Sequence, residues 1–72
     1  MSNFYLVEKG YFLYIKFVND FGWIYTHLEN PDKATIFDEN HAFLEADIIK
    51  TRLEKGYLTK VDVSEYNDFK TF

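Results

Sequence analysis

The sequence predicts a small α+β domain in which an antiparallel sheet of three or four strands carries one helix on one of its faces. Strand-like segments rich in aromatic and β-branched residues fill the first 28 residues, and another follows Gly56. Between them, residues 39–55 contain no glycine or proline and have the composition of a helix. The predicted order is therefore βββαβ, with one helix packed on one face as the simplest way to bury such a sheet.

The first three strands are predicted from side-chain alternation and from the residues at their turns. Residues 3–9 form the first predicted strand and residues 11–18 form the second. Residues 19–22 (Asn-Asp-Phe-Gly) supply the local hydrogen bonds and the positive φ that a hairpin needs, so residues 23–28 are expected to form a third, antiparallel strand. Pro31 then marks a loop, because its ring fixes φ.

The helix has recognisable ends. Asp38 suits an N-cap, and Glu39 adds a negative charge to the first turn, where it complements the helix dipole. Gly56 is well placed as the residue that follows the C-cap. Residues 57–63 alternate between two side-chain sets and are predicted to be the last strand.

Two segments lie outside this regular pattern. Residues 33–37 are short and ambiguous, with Ile36 and Phe37 expected to pack under the helix. The tail, residues 64–72, mixes acidic and aromatic residues and is expected to be partly ordered. All of these segments belong to one domain, since 72 residues leave no room for a second core.

The aromatic content is high for a domain of this size. Eight Phe, six Tyr and one Trp make up 21% of the chain, whereas a domain this small buries only about 60% of the surface that its unfolded chain exposes. No cysteine is present to add a disulfide or a thiolate metal site. Some aromatic surface is therefore expected to be open to a ligand, a partner or a second copy.

Alternation along the strands divides this aromatic surface. Four residues of the second strand are expected to face the helix: Tyr11, Leu13, Ile15 and Phe17. The other face is expected to combine residues of the second and third strands: Phe12, Tyr14, Lys16, Trp23 and Tyr25. This face is either a dimer interface, a small core covered by the tail, or a recognition surface of the kind in which Trp and Tyr are enriched.

The predicted helix also has two apolar sides. Four residues fall within about 60° of one another and are expected to face the sheet: Ala42, Ala46, Ile49 and Leu53. Leu44 and Ile48 lie well over about 100° away from that stripe. Either tail residues such as Phe69 cover them, or the helix is buried on two sides, or they bind a partner or a second copy, so both are partner-binding candidates.

Charge disfavours two classes of partner. Twelve acidic residues against eight basic ones give a formal net charge of −4, whereas binding to nucleic acids and to anionic membranes depends on Lys and Arg. The apolar stretch of residues 11–18 is too short to span a membrane, and the N-terminus lacks the features of a secretory signal. We expect a cytoplasmic protein that binds neither a membrane nor a nucleic acid.

Residues 9–17 partly resemble the RNP1 motif of RNA-recognition domains, whose strand aromatics stack on bases. Phe12 occupies a position where that motif has glycine or alanine, and Lys16 interrupts its aromatic alternation. These departures, with the single helix and the acidic charge, keep nucleic-acid binding among the alternatives only.

The sequence offers little for catalysis. His27 and His41 lie in no spacing that suits a metal, and Ser2 and Ser64 lie outside any nucleophile turn. We therefore expect no catalytic residue, no cofactor, no metal and no enzymatic activity. The acidic residues either form a solvated surface or a row of carboxylates that mimics a phosphate backbone: Asp38, Glu39, Asp47, Glu54, Asp62, Glu65 and Asp68.

The succession of elements resembles that of small accessory proteins of bacteriophages. An aromatic hairpin is followed by residues 34–38 (Ala-x-Ile-Phe-Asp), by an alanine-bearing helix that ends in residues 55–57 (Lys-Gly-Tyr), and by a last strand. The resemblance covers most of the chain and implies a binder that modulates a host or defence protein in the host cytoplasm. The alternatives are a ligand- or nucleic-acid-binding module that stacks on Tyr14, Trp23 and Tyr25, and a homo-oligomeric structural protein.

Overall fold

The computed structural model describes residues 3–70, with side chains as far as Tyr66. Its four strands form one antiparallel sheet in the order β3-β2-β1-β4, which confirms the predicted α+β class. The elements in chain order are β1 (Phe4–Glu8), β2 (Tyr11–Val18), β3 (Gly22–Leu28), a 3₁₀ turn (Ala42–Glu45), α1 (Asp47–Glu54), β4 (Leu58–Asp62) and α2 (Val63–Lys70).

Both hairpins turn on residues with positive φ. Lys9 and Gly10 have φ of 52° and 84°, the combination of a two-residue type I′ turn. The next turn closes with a hydrogen bond of 3.0 Å from the Phe21 N–H to the Val18 carbonyl, followed by Gly22 at φ 78°. The second turn confirms the hairpin predicted at residues 19–22.

The short segment between β3 and the 3₁₀ turn fills a gap in the sheet. β1 and β2 pair at two positions beside their turn and then diverge. On the β2 side, Thr35 donates its N–H to the Leu13 carbonyl at 3.1 Å, and its Oγ1 accepts the Ile15 N–H at 2.9 Å. On the β1 side, Phe37 and Phe4 exchange two backbone hydrogen bonds of 2.9 and 2.8 Å. The far half of the β2–β3 hairpin therefore extends beyond β1.

One face of the sheet carries the core. The sheet contributes five buried side chains: Phe4, Leu6, Leu13, Ile15 and Leu58. Four more pack over them from the segment, the 3₁₀ turn and α1: Phe37, Phe43, Leu44 and Ile49. The rings of Phe4 and Phe37 are stacked with centroids 6.0 Å apart, and Phe37 is fully buried as predicted. Ile36, which was expected to pack with it, is instead 51% exposed, because neighbouring side chains of an extended segment point to opposite sides.

The single helix predicted over residues 39–55 is wrong in its first half. The chain makes the 3₁₀ turn, passes through an extended residue, Ala46 (φ −65°, ψ 133°), and only then begins α1. The cap of the 3₁₀ turn is His41, whose Nδ1 accepts the Phe43 N–H at 3.1 Å, and not Asp38.

This interruption moves Leu44 from the surface into the core. The predicted stripe assumed one continuous helix, but an extended residue between two helical segments resets the rotation of side chains around the axis. Leu44 is consequently only 7% exposed, whereas Ala42, predicted to face the sheet, is exposed. The prediction that Leu44 belongs to a partner-binding surface is wrong.

The end of α1 is as predicted. Gly56 has φ 79° and donates its N–H to the Leu53 carbonyl at 3.2 Å, while the Tyr57 N–H reaches the Arg52 carbonyl at 2.9 Å. These two bonds form a Schellman motif, which satisfies carbonyls that the last turn of a helix leaves unpaired.

The tail is helical and covers part of the second face of the sheet. In α2, the Tyr66 ring meets the rings of Tyr5 and Phe12 edge-on at 5.9 and 5.6 Å, and those two rings lie 5.5 Å apart. Phe12 is thus covered by the tail and is not an open partner-binding residue. The predicted cover of Leu44 and Ile48 by Phe69 falls on a side chain outside those described.

Candidate functional site

The register of β2 and β3 separates the predicted aromatic surface into two faces. Because an odd number of residues, 19–21, joins the two strands, odd-numbered residues pair with odd-numbered ones. Ile15 is opposite Tyr25, and Phe17 is opposite Trp23, so Trp23 and Tyr25 lie on the core face. The prediction that they share a surface with Tyr14 and Lys16 is wrong, because strand alternation alone does not fix the register between strands.

Four even-numbered residues of the hairpin form a face that the described side chains leave exposed. Tyr14 is opposite Thr26, and Lys16 is opposite Ile24. Tyr14 and Ile24 are both 44% exposed, and Lys16 and Thr26 are also exposed. We call these four residues the open hairpin face. They line a shallow depression of about 280 Å³, together with Tyr25.

The open hairpin face continues directly from the surface that α2 closes. Phe12 and Tyr14 point to the same side of β2, and the Tyr66 ring packs on Phe12. Within the side chains that the structure describes, the chain therefore covers the half of this face that lies over β1 and leaves the half over β2 and β3 exposed.

On the core face, Trp23 has a structural environment. Its ring lies 5.1 Å from the Phe17 ring, 5.6 Å from His41 and 5.8 Å from Phe43. These contacts anchor the extended half of the hairpin to the 3₁₀ turn. Because Trp23 packs against Phe43 of the core, its main role here is to hold the hairpin in place.

A polar network at the other end of the core face was not predicted from the sequence. Arg52 donates from Nη1 to the Tyr25 hydroxyl at 2.6 Å and lies 3.4 Å from Glu8 Oε2. The second Glu8 oxygen, Oε1, lies 2.8 Å from His27 Nε2. The Tyr25 hydrogen bond raises the pKa of the Arg52 guanidinium above its ordinary range.

This network connects α1, β1 and β3. Its members are up to 44 positions apart in the chain, so no local motif could reveal it. Glu8, Arg52, Lys9 and Tyr57 line a cleft of about 380 Å³ beside it. The network pairs its carboxylate with the cation and the imidazole, so it stabilises the packing of these elements.

The remaining predicted candidates are on or near α1. Ile48 is 61% exposed on α1. The acidic row proposed as a phosphate mimic is interrupted by Lys60, whose Nζ lies 3.1 Å from a Glu39 oxygen, and by Lys50, which reaches Glu45 at 3.3 Å. These pairs favour a solvated surface of mixed charge.

The described residues form neither a metal site nor a membrane-spanning helix. Among the side chains that the structure describes, those of residues 3–66, no three of His, Asp or Glu come together in a way that could hold a metal ion. Neither α1 nor α2, as far as they are described, is long and apolar enough to cross a bilayer. No protein-family model, curated protein or solved structure matches the chain.

Proposed function

We propose that this chain is a non-enzymatic interaction protein that binds another protein through the open hairpin face. The observation that carries the proposal is the uneven cover of one sheet face. Tyr66 closes the half around Tyr5 and Phe12, whereas Tyr14 and Ile24 remain 44% exposed beside it. A protein that orders its tail to cover one apolar half and leaves the adjoining half exposed has a surface suited to a partner.

The residues of this surface indicate which side chains the partner presents to it. Tyr14 and Ile24 supply apolar contact area, and Tyr is enriched among residues that dominate binding energy. Lys16 is the one charged residue of the open hairpin face and needs an acceptor when water is excluded. The partner therefore presents an apolar side chain to the depression and a carboxylate to Lys16.

The resemblance to bacteriophage accessory proteins supports a specific class of partner. We propose a host or defence protein in the host cytoplasm, which the chain modulates by covering part of its surface. The separation of the aromatic residues favours this function over a stacking platform for bases. Only Tyr14 of the three predicted platform residues lies on the open hairpin face, and successive stacked bases need several rings on one surface.

Matched substitutions test the proposal in pull-downs from a native host lysate, followed by affinity measurements on the purified partner. Tyr14→Ala and Lys16→Glu are each expected to weaken binding at least about tenfold. The controls make the same changes on other exposed surfaces: Tyr57→Ala and Lys33→Glu.

The controls are expected to keep affinity within about twofold of the unmodified chain, since a single surface residue outside the interface contributes little. Circular dichroism and thermal unfolding establish that all four variants are folded. If the four variants bind equally well, or if the controls lose as much affinity as the Tyr14 and Lys16 variants, the proposed surface is wrong.

A further inference from the structure

Strand β3 is an outer strand of the sheet. The hydrogen bonds of β2 show which residues of β3 direct their backbone N–H and carbonyl groups away from the sheet. The Ile15 N–H and the Leu13 carbonyl both bond Thr35, on the side away from β3. Backbone groups of successive residues point to opposite sides of a strand, so it is the even-numbered residues of β2 that make the backbone hydrogen bonds to β3. By the register, Trp23, Tyr25 and His27 of β3 then direct their N–H and carbonyl groups outward.

This edge is unprotected. The seven residues of β3, Gly-Trp-Ile-Tyr-Thr-His-Leu, contain no Lys, Arg, Asp, Glu or Pro, which are residues that natural proteins use to block edge pairing. The opposite outer strand, β4, does carry such residues, Lys60 and Asp62. In the part of the chain that the structure describes, no other segment makes a backbone hydrogen bond to Trp23, Tyr25 or His27.

We propose that a second copy of this chain pairs antiparallel with β3, around a two-fold axis at Tyr25. Tyr25 is the midpoint of the strand Gly22–Leu28, so this register pairs every residue of the strand with one of the second copy. Because the outward residues are Trp23, Tyr25 and His27, the three pairs that they form are hydrogen-bonded pairs, which exchange both backbone bonds. The product is one continuous sheet of eight strands.

The side chains on the core face are complementary in this register. Trp23 comes opposite His27 of the second copy, and Tyr25 comes opposite its own counterpart. Aromatic pairs directly opposite each other stabilise antiparallel strands. The ring of Tyr25 is already oriented by its 2.6 Å hydrogen bond with Arg52, so little conformational freedom is lost when the strands pair.

The open hairpin faces of the two copies become adjacent in this arrangement. Ile24 comes opposite Thr26 of the second copy, and beyond this pair each row has one Lys16 and one Tyr14 at its two ends. The two Lys16 side chains therefore lie in different rows, and no like charges are opposite each other. Dimerisation places two copies of the proposed binding surface side by side.

These features favour a second copy over a foreign strand. A foreign strand would need its own matching pattern, whereas β3 matches itself in length, side-chain size and absence of charge. The inference does not depend on the proposed function, because it rests on the outward backbone groups of β3, whereas the proposed function rests on the side chains of the open hairpin face. A dimer that binds no other protein would leave this inference intact and would contradict only the proposed function.

The oligomeric state is the first test. Light scattering and sedimentation equilibrium at high micromolar concentration are expected to give twice the chain mass of 8.7 kDa. Thr26→Lys places a charge opposite the Ile24 of the second copy and is expected to weaken the dimer at least about tenfold. Thr59→Lys makes the same change on β4 and is expected to leave the dimer unaltered.

Cysteine cross-linking tests the register, since the chain has no cysteine of its own. Tyr25→Cys is expected to give a disulfide-linked dimer on mild oxidation, because hydrogen-bonded antiparallel partners have Cα atoms about 5.5 Å apart, within disulfide range. Ile24→Cys and Thr26→Cys alone are expected not to cross-link. Mixed together, these two variants are expected to cross-link to each other, which keeps the test valid if Tyr25→Cys fails to fold.

Three results would overturn the inference. One is a chain that stays monomeric at high micromolar concentration. Another is a dimer that Thr26→Lys and Thr59→Lys weaken equally, since that dimer would not use β3. The third is efficient cross-linking of Ile24→Cys or of Thr26→Cys by itself, because the two-fold axis would then lie at a residue other than Tyr25.

Discussion

Glu8 is a charged residue whose side chain has little contact with solvent. Its side chain is only 13% exposed, and its two oxygens lie near different partners, His27 at 2.8 Å and Arg52 at 3.4 Å. A carboxylate with so little solvent depends on such partners to replace the water that it has lost. Glu8 therefore links β1 to both β3 and α1.

Replacing the Glu8 carboxylate by an amide of the same shape removes the charge and keeps the packing, so it measures the contribution of the charge to stability. We expect Glu8→Gln to lower the free energy of unfolding by about 1–2 kcal/mol, because Arg52 and His27 lose their charged acceptor. Urea titration followed by tyrosine and tryptophan fluorescence measures the change. Glu54→Gln on the exposed surface of α1 is the matched control and should change stability by less than about 0.5 kcal/mol.

Equal effects of Glu8→Gln and Glu54→Gln would show that the network contributes nothing to stability. A further comparison with Arg52→Met distinguishes the two partners of Glu8. If Arg52 is the main partner, the loss from Glu8→Gln should be much smaller in the Arg52→Met background, since the pair is then already broken.

At the scale of elements, α2 begins at a single capping carboxylate. Asp62 accepts the Ser64 N–H at 2.9 Å and also the Ser64 hydroxyl, which satisfies a backbone donor of the first helical turn. These bonds favour the ionised form and lower the pKa of Asp62 below its ordinary value of 3.8. The helix that covers Phe12 is thus coupled to the ionisation of one residue.

This coupling predicts a pH dependence with a definite sign. Because the folded pKa of Asp62 lies below the unfolded one, its stabilising effect is fully present above about pH 4 and is lost as pH falls through the lowered value. Asp62→Ala should reduce the helical signal and the thermal midpoint at neutral pH, and this difference should shrink as the pH falls below 3.8. Circular dichroism melts across that range measure this, and a difference that stays constant down to pH 2 would contradict it.

The elements also show which parts of the fold are determined by the local sequence. The hairpins and the end of α1 were predictable because Gly10, Gly22 and Gly56 have the positive φ that their turns require. The interruption at Ala46 was not predictable from helix propensity, since alanine is the best helix former. Packing of Phe43 and Leu44 into the core, with only 1% and 7% exposure, outweighs that preference.

The candidate site was predictable only in part for a related reason. Tyr14 and Lys16 were assigned correctly to a shared face, because alternation within one strand decides it. Trp23 and Tyr25 were assigned to the wrong face, because the register between two strands depends on the number of residues in the turn. The network of Glu8 and Arg52 depends on tertiary packing across 44 positions and has no local signature.

At the scale of the whole molecule, the net charge of −4 opposes pairing of two copies, whereas β3 itself carries no formally charged residue. Long-range repulsion is screened by salt: the Debye length falls from about 30 Å at 0.01 M ionic strength to about 8 Å at 0.15 M. The proposed dimer should therefore become tighter as salt is raised over that range, because screening reduces repulsion and removes no ion pair at the edge.

Sedimentation equilibrium at several sodium chloride concentrations measures this dependence. We expect the dissociation constant to fall severalfold between 0.01 and 0.15 M salt, since a free-energy change of about 1 kcal/mol corresponds to about a fivefold change in affinity. Lys33→Glu, at an exposed residue outside β3, makes each copy more acidic and should steepen the dependence. A dimer that weakens with salt would instead be held by ion pairs, and β3 could not be its interface, because that strand contains no acidic or basic residue other than His27.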